Sequence, residues 1–137
     1  MVQPLVTLLK SLDAVRQPGV YVYCTLPLEA DISGLPALAT FREREALTVV
    51  LEEREALARG LEPRFRAAWI MLSVYSDLEA VGLTAAVSRA LANVGISCNV
   101  IAAVHHDHLF VPVAAADAAL SALARLSKNA ISDENAG

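Results

Sequence analysis

The chain has 137 residues, 55% of them hydrophobic and 19% charged, and carries a net charge of −4. That length suits one compact domain or two small, closely fused ones, and it buries roughly two thirds of the unfolded surface without a staple. Negative charge and only 5% aromatic residues give neither a basic field for phosphates nor rings for stacking on bases, so nucleic acid is not an expected partner.

Charge interrupts every apolar run before the roughly 18 residues of a membrane span, and no basic stretch followed by an apolar one opens the chain. A cytoplasmic location with no membrane partner is expected. Cys24 and Cys98 sit singly in extended, apolar runs. Without a Cys-x-x-Cys pair they read as buried thiols, not as zinc or redox ligands.

Leu5, Leu8, Leu9 and Leu12 recur at helical spacing, and the turn signature Gln17-Pro18-Gly19 stops the run. From Val20 to Thr25 the period changes to two, with Val20, Val22 and Cys24 on one face of a strand. Residues 26–36 read as a loop, with two prolines, a glycine and acidic residues. Residues 37–41 resume an extended pattern up to the charged turn Arg42-Glu43-Arg44-Glu45, and residues 46–51 form the third strand. Residues 52–59 are strong helix formers, with acidic residues suited to the positive end of the helix dipole and Gly60 as terminator.

The second half is clearer. Residues 65–75 form a long apolar run bounded like a buried strand. Leu83, Val87, Ala90, Leu91 and Val94 mark one face of a helix that Gly95 ends. Residues 96–104 and 108–113 read as strands, Pro112 putting the latter near an edge. Ala116, Leu120, Leu123 and Ala124 define a last helix, after which the polar segment 128–137 is expected to fray. Strand, helix, strand, strand, helix is a split βαβ pattern. The expected fold class is therefore α+β and ferredoxin-like, with helices on one face of antiparallel sheets.

All three histidines lie in Val104-His105-His106-Asp107-His108. On an extended chain His105 and Asp107 point one way and His106 and His108 the other, so four convergent ligands are not supplied. The polar tip of a hairpin is the reading preferred over a metal site, with His106 and His108 as secondary candidates for reaching a ligand. No nucleophile elbow, phosphate loop or dinucleotide fingerprint occurs, and no cofactor is expected.

The stretches 78–87 (Leu-Glu-Ala-Val-Gly-Leu-Thr-Ala-Ala-Val) and 91–100 (Leu-Ala-Asn-Val-Gly-Ile-Ser-Cys-Asn-Val) resemble the ACT domain family. Together with His106-Asp107-His108-Leu109-Phe110-Val111-Pro112, Thr40-Phe41-Arg42-Glu43 and Leu47-Thr48-Val49-Val50, they resemble small bacterial stand-alone ACT-type proteins of two tandem ACT-like halves. Those proteins are related to the regulatory end of aspartate kinases. The resemblance covers about residues 4–127 and is stronger in the second half.

It implies an N-terminal ACT-like half over 1–64, a C-terminal ACT domain over 65–127 and a tail over 128–137. It also implies a non-enzymatic sensor that binds an amino acid or similar metabolite at an interface between ACT-like units. A sheet with exposed edges and little aromatic or charged cover is expected to pair with a second copy, as a homodimer. The ligand-binding residues implied are Ser76, Asp77, Glu79, Val81, Gly82, Leu83, Thr84 and Asn99. The free N–H groups of Gly82, Leu83 and Thr84 would hold a carboxylate at a helix N-terminus, with Asp77 or Glu79 on a cation. The plainer alternatives are that Gly82 only permits a tight turn and that Asn99 is a satisfied strand residue. Competing functions are a small metal-dependent or acyl-transferring enzyme using residues 105–108, or a structural partner protein with no ligand.

Overall fold

The computed structural model describes residues 4–74 and 78–136, with side chains to residue 132. It divides into two compact units, one of residues 18–68 and one of residues 1–17 with 69–137.

In the unit of residues 18–68, strands β2 (Tyr21–Leu26), β3 (Ala39–Arg42) and β4 (Leu47–Glu52) pair antiparallel in the order β3-β4-β2. The first residues of β5 (Phe65–Ser73) add to the free side of β2, Tyr23 opposite Phe65 and Tyr21 opposite Ala67. The alternation of β2 puts Val22 and Cys24 inward, where both are fully buried. With Leu47, Val49, Leu51 and Ala56 they form a core that Leu26, Ile32, Leu35 and Leu61 cover. Helix α2 (Glu53–Ala58) starts on acidic residues, as its dipole favours, and Glu53 pairs with Arg66.

The other unit contains α1 (Leu5–Lys10), β1 (Asp13–Arg16), the end of β5, α3 (Leu83–Asn93), β6 (Asn99–Ala102), β7 (Asp107–Pro112) and α4 (Ala116–Ala136). Strand β1 pairs antiparallel with β5, Arg16 opposite Ile70 and Asp13 opposite Ser73. The order continues β5-β7-β6, and the β6–β7 hairpin is antiparallel. Ile70 and Leu72 are buried and alternate with half-buried Trp69, Met71 and Ser73. Leu83, Val87 and Leu91 are the buried stripe of α3, while Ala119 and Leu123 serve α4. Helix α3 ends as its sequence requires. Gly95 takes φ 76°, Ile96 N–H bonds back to Leu91 O at 2.9 Å, and Ile96 is buried. The split βαβ order of β5, α3, β6, β7 and α4, with antiparallel sheet and helices, is the α+β, ferredoxin-like arrangement expected.

Three local differences from the sequence reading have physical causes. The leucine spacing that predicts a helix to Leu12 stops at Lys10. Residues 13–16 instead gain backbone pairing on β5, which outweighs a weak local preference. Strand β6 starts only at Asn99, since residues 96–98 follow the helix cap. Helix α4 continues to Ala136, over the segment expected to fray.

Candidate functional site

Helix α3 opens on Gly82, whose backbone is left-handed (φ 98°, ψ −17°), with no side chain capping the helix. Ala86 N–H is the first to bond back, to Gly82 O at 2.9 Å. Among the described residues the N–H groups of the first turn therefore have no capping partner, and they carry the positive end of the helix dipole. Glycine is required here, because φ of this sign strains any other residue and an added Cβ would stand 3.3 Å from Leu5 Cδ2.

The turn between β6 and β7 comes down beside this helix start. Ala103 N–H bonds to His106 O at 3.0 Å and folds the tip. Between tip and helix lies a small cavity of about 60 Å³, whose walls include Leu78, Leu83, Thr84, His105, His106 and Asp107. Such a space holds a few water molecules or a group the size of a carboxylate. His106 Nδ1 is sealed from solvent and has no hydrogen-bond partner among the described residues, a state that native structures seldom leave unexplained.

Burial shapes the electrostatics of the turn. It pushes the Asp107 carboxyl above the usual carboxylate range, with the neighbouring His108 pulling the other way. It also pushes His108 below the usual histidine range, as does His106, against the opposing pull of Asp107. His108 is thus held neutral. Its Nδ1 accepts a hydrogen bond from Trp69 Nε1 at 3.0 Å, so its own proton sits on Nε2. Trp69 stacks on Phe110 with ring centres 6.5 Å apart, and His106 meets His108 edge-on at 6.3 Å.

The structure brings Leu83, Thr84 and His106 together around the cavity. Gly82 shapes the helix start, and the exposed Glu79 and Val81 lie on the loop that leads into it. Asn99 lies elsewhere. It sits opposite Phe110 in the hairpin, its side-chain amide donating to Phe110 O at 3.3 Å. His108 stands behind the cavity, on Trp69. Ser76 and Asp77 lie outside the described residues. Residue patterns named His105 and Asp107 only within the competing enzyme reading and left Leu78 and Trp69 out of the site. The indole of Trp69 bonds across 39 positions, a distance that no local motif encodes. Among the described residues, no group of three or more His, Cys, Asp or Glu side chains is placed to hold a metal ion. No helix is long and apolar enough to cross a membrane.

An ACT-domain family model matches residues 2–68 and a second ACT-domain model matches residues 64–125. The chain belongs to the ACT-domain family. ACT domains are regulatory modules that bind small molecules, not catalytic units. The two ACT matches meet within residues 64–68, at the start of β5. No curated protein matches the sequence.

Among solved structures, the Vibrio cholerae protein VC0802 is 46% identical with TM-score 0.82, the likeness covering 90% of this chain and 95% of that one. It is described as a protein of unknown function and possible transport protein. Agrobacterium tumefaciens Atu0741 is similar at 17% identity and TM-score 0.66, covering 85% of this chain and 89% of that one. The allosteric aspartate kinase of Clostridium acetobutylicum is similar at 8% identity and TM-score 0.59, over 84% of this chain and 34% of the kinase. These last two likenesses concern the fold alone.

Proposed function

We propose that this ACT protein is a sensor of a free amino acid, held where the start of α3 meets the β6–β7 turn, in a homodimer that completes the site. The observation that carries the reading is the sealed, unpartnered His106 Nδ1 beside a cavity whose far wall is an uncapped helix start. A carboxylate suits the free N–H groups of that helix turn. A small shift of the imidazole would give its nitrogen the partner it lacks, so ligand binding and relief of a buried polar cost are coupled.

The cavity is too small to enclose a whole amino acid, so the remainder of the ligand must lie in its mouth. Leu78, Val81 and Val104, on the two loops that form the mouth, are 64%, 82% and 69% exposed. Large apolar side chains left in water at one place mark a surface that a partner covers, and a second copy would close the site over the ligand. Cys24 and Cys98 are both free thiols, which suits the cytoplasm, where amino-acid pools are read.

The test is thermal unfolding against each of the twenty amino acids, since a ligand that binds only the native state raises its stability by mass action. At a hundredfold excess over Kd the gain is about 2.7 kcal/mol. One amino acid or a chemically related few should raise Tm in the wild type. His106→Leu should abolish that shift while leaving the unliganded protein as stable or more so, because an orphaned polar atom is replaced by an apolar one. Absence of any shift at millimolar concentration would reject the sensor reading. A monomer in light scattering, with and without ligand, would reject the shared site.

A further inference from the structure

A second concavity, separate from the histidine site, runs between α3 and α4 with Leu5 of α1 at its floor, and its volume is about 580 Å³. This is within the range of small-molecule pockets. Both long helices present it with the same sequence pattern. On α3 the lining includes Ala86, Arg89, Ala90 and Asn93; on α4 it includes Ala122, Arg125, Leu126 and Asn129. Each set reads Ala-x-x-Arg-apolar-x-x-Asn, spacing that puts the four side chains on one helix face. Two unrelated helices thus supply a guanidinium, a carboxamide and an apolar floor to one groove.

The charge of the groove is one-sided. Among the described residues, no Asp or Glu lines it. The ion pairs among the described residues join Arg54, Arg59 and Arg66 to glutamates of residues 52–55, whereas neither Arg89 nor Arg125 is paired. In a chain of net charge −4, two unpaired guanidiniums over one apolar floor call for an anion with an apolar tail. The forked N–H donors of arginine fit a carboxylate in two-point contact, and the Asn93 and Asn129 amides add donors. Leu5, Leu126 and the alanines give an alkyl chain a place to leave water.

We infer that this groove binds a small amphipathic carboxylate, with its head between Arg89 and Arg125 and its tail along the floor toward Leu5. This does not rest on the amino-acid reading: Gly82 borders both places, but neither arginine and neither asparagine belongs to the histidine site.

The experiment is calorimetric titration of the full-length protein with sodium octanoate, alongside hexanoate, decanoate and octylammonium. Binding should strengthen about twofold to fourfold per added methylene, and octylammonium, with the same tail and the opposite charge, should not bind. Arg89→Gln and Arg125→Gln should each weaken octanoate about tenfold, and the double variant about a hundredfold. Arg→Lys at either position should restore part of the loss. Circular dichroism checks that the variants keep their helices, and Ala90→Phe, which fills the floor and leaves both charges in place, should also abolish binding. No octanoate binding at millimolar concentration, equal binding of octylammonium, or unchanged binding by the double variant would each overturn the inference. So would a double variant that turns a dimer into a monomer without any octanoate binding by the wild type, since the groove would then belong to a second copy.

Discussion

The molecule contains the same hairpin twice. Strand β3 (39–42), a four-residue turn and β4 (47–52) recur, sixty positions on, as β6 (99–102), a four-residue turn and β7 (107–112). The register agrees residue for residue, Ala39 facing Val50 as Asn99 faces Phe110, and Arg42 facing Leu47 as Ala102 faces Asp107. The turns close with the same bond, Glu43 N–H to Ala46 O and Ala103 N–H to His106 O, both at 3.0 Å. What differs is the segment before each. The second hairpin follows α3, while the first follows a loop with Pro27 and Pro36, and has no helix in the corresponding place. At the first tip Glu43 simply accepts a bond from the Thr48 hydroxyl at 2.6 Å in the open. At the second, His106 stands where the first has Ala46, walled in beside a helix start. A shared hairpin is only a scaffold; the cavity arises where an uncapped helix start meets it.

The sharpest way to break this comparison is through the aromatic each hairpin carries. Phe110 is 1% exposed and packs on Trp69, whereas Phe41 is 71% exposed. Phe110→Ala should cost about 3–5 kcal/mol, and Phe41→Ala should stay within about 0.5 kcal/mol, both read from urea unfolding midpoints. Comparable losses at the two positions would mean that Phe41 is buried against a partner in solution.

Glycine gives the next contrast. Gly82→Ala has to place an L residue at φ 98° with its Cβ 3.3 Å from Leu5, and should cost about 1–2 kcal/mol. Gly34, in the loop before the first hairpin, has open space around it and no positive φ. Gly34→Ala should be neutral or stabilise by up to about 1 kcal/mol through the unfolded chain. If both substitutions proved neutral, the turn at Gly82 would be free to relax and could not hold the helix start against the cavity.

These contrasts also mark what could be read from the residues alone. Helix α3 was readable because Leu83, Val87 and Leu91 form a clean stripe and Gly95 supplies a cap, both local features. The start of that helix was readable at Gly82, because a glycine ahead of an apolar helical stripe suits a left-handed turn. Strand β1 was not, because Asp13 to Arg16 acquire their conformation from a partner strand more than fifty residues away. The histidines were not readable by alternation. That reading sets His106 apart from His105 and Asp107, but the bend at residues 104–105 brings all three to the cavity and leaves His108 on Trp69.

The smallest effect expected, and the most specific, comes from His108. Its folded-state pKa is depressed, so between that value and the unfolded value of about 6.5 the unfolded chain binds more protons. Stability from this group is therefore complete above about pH 6.5 and is lost as pH falls. Asp107, whose carboxyl is raised, contributes with the opposite sign at lower pH. Protonation of His108 Nδ1 removes the only acceptor site it offers the indole, so the Trp69 bond must break. Trp69 is the chain's single tryptophan, and its emission reports that event without labelling. The emission spectrum should change between pH 7 and pH 5 while far-ultraviolet circular dichroism stays constant, and the change should disappear in His108→Gln. The first hairpin holds no histidine and should be silent over that range. An emission spectrum that does not move would mean that the His108 ring keeps its neutral form well below pH 5. A change that persists in His108→Gln would mean that the indole responds to something other than its bond to His108.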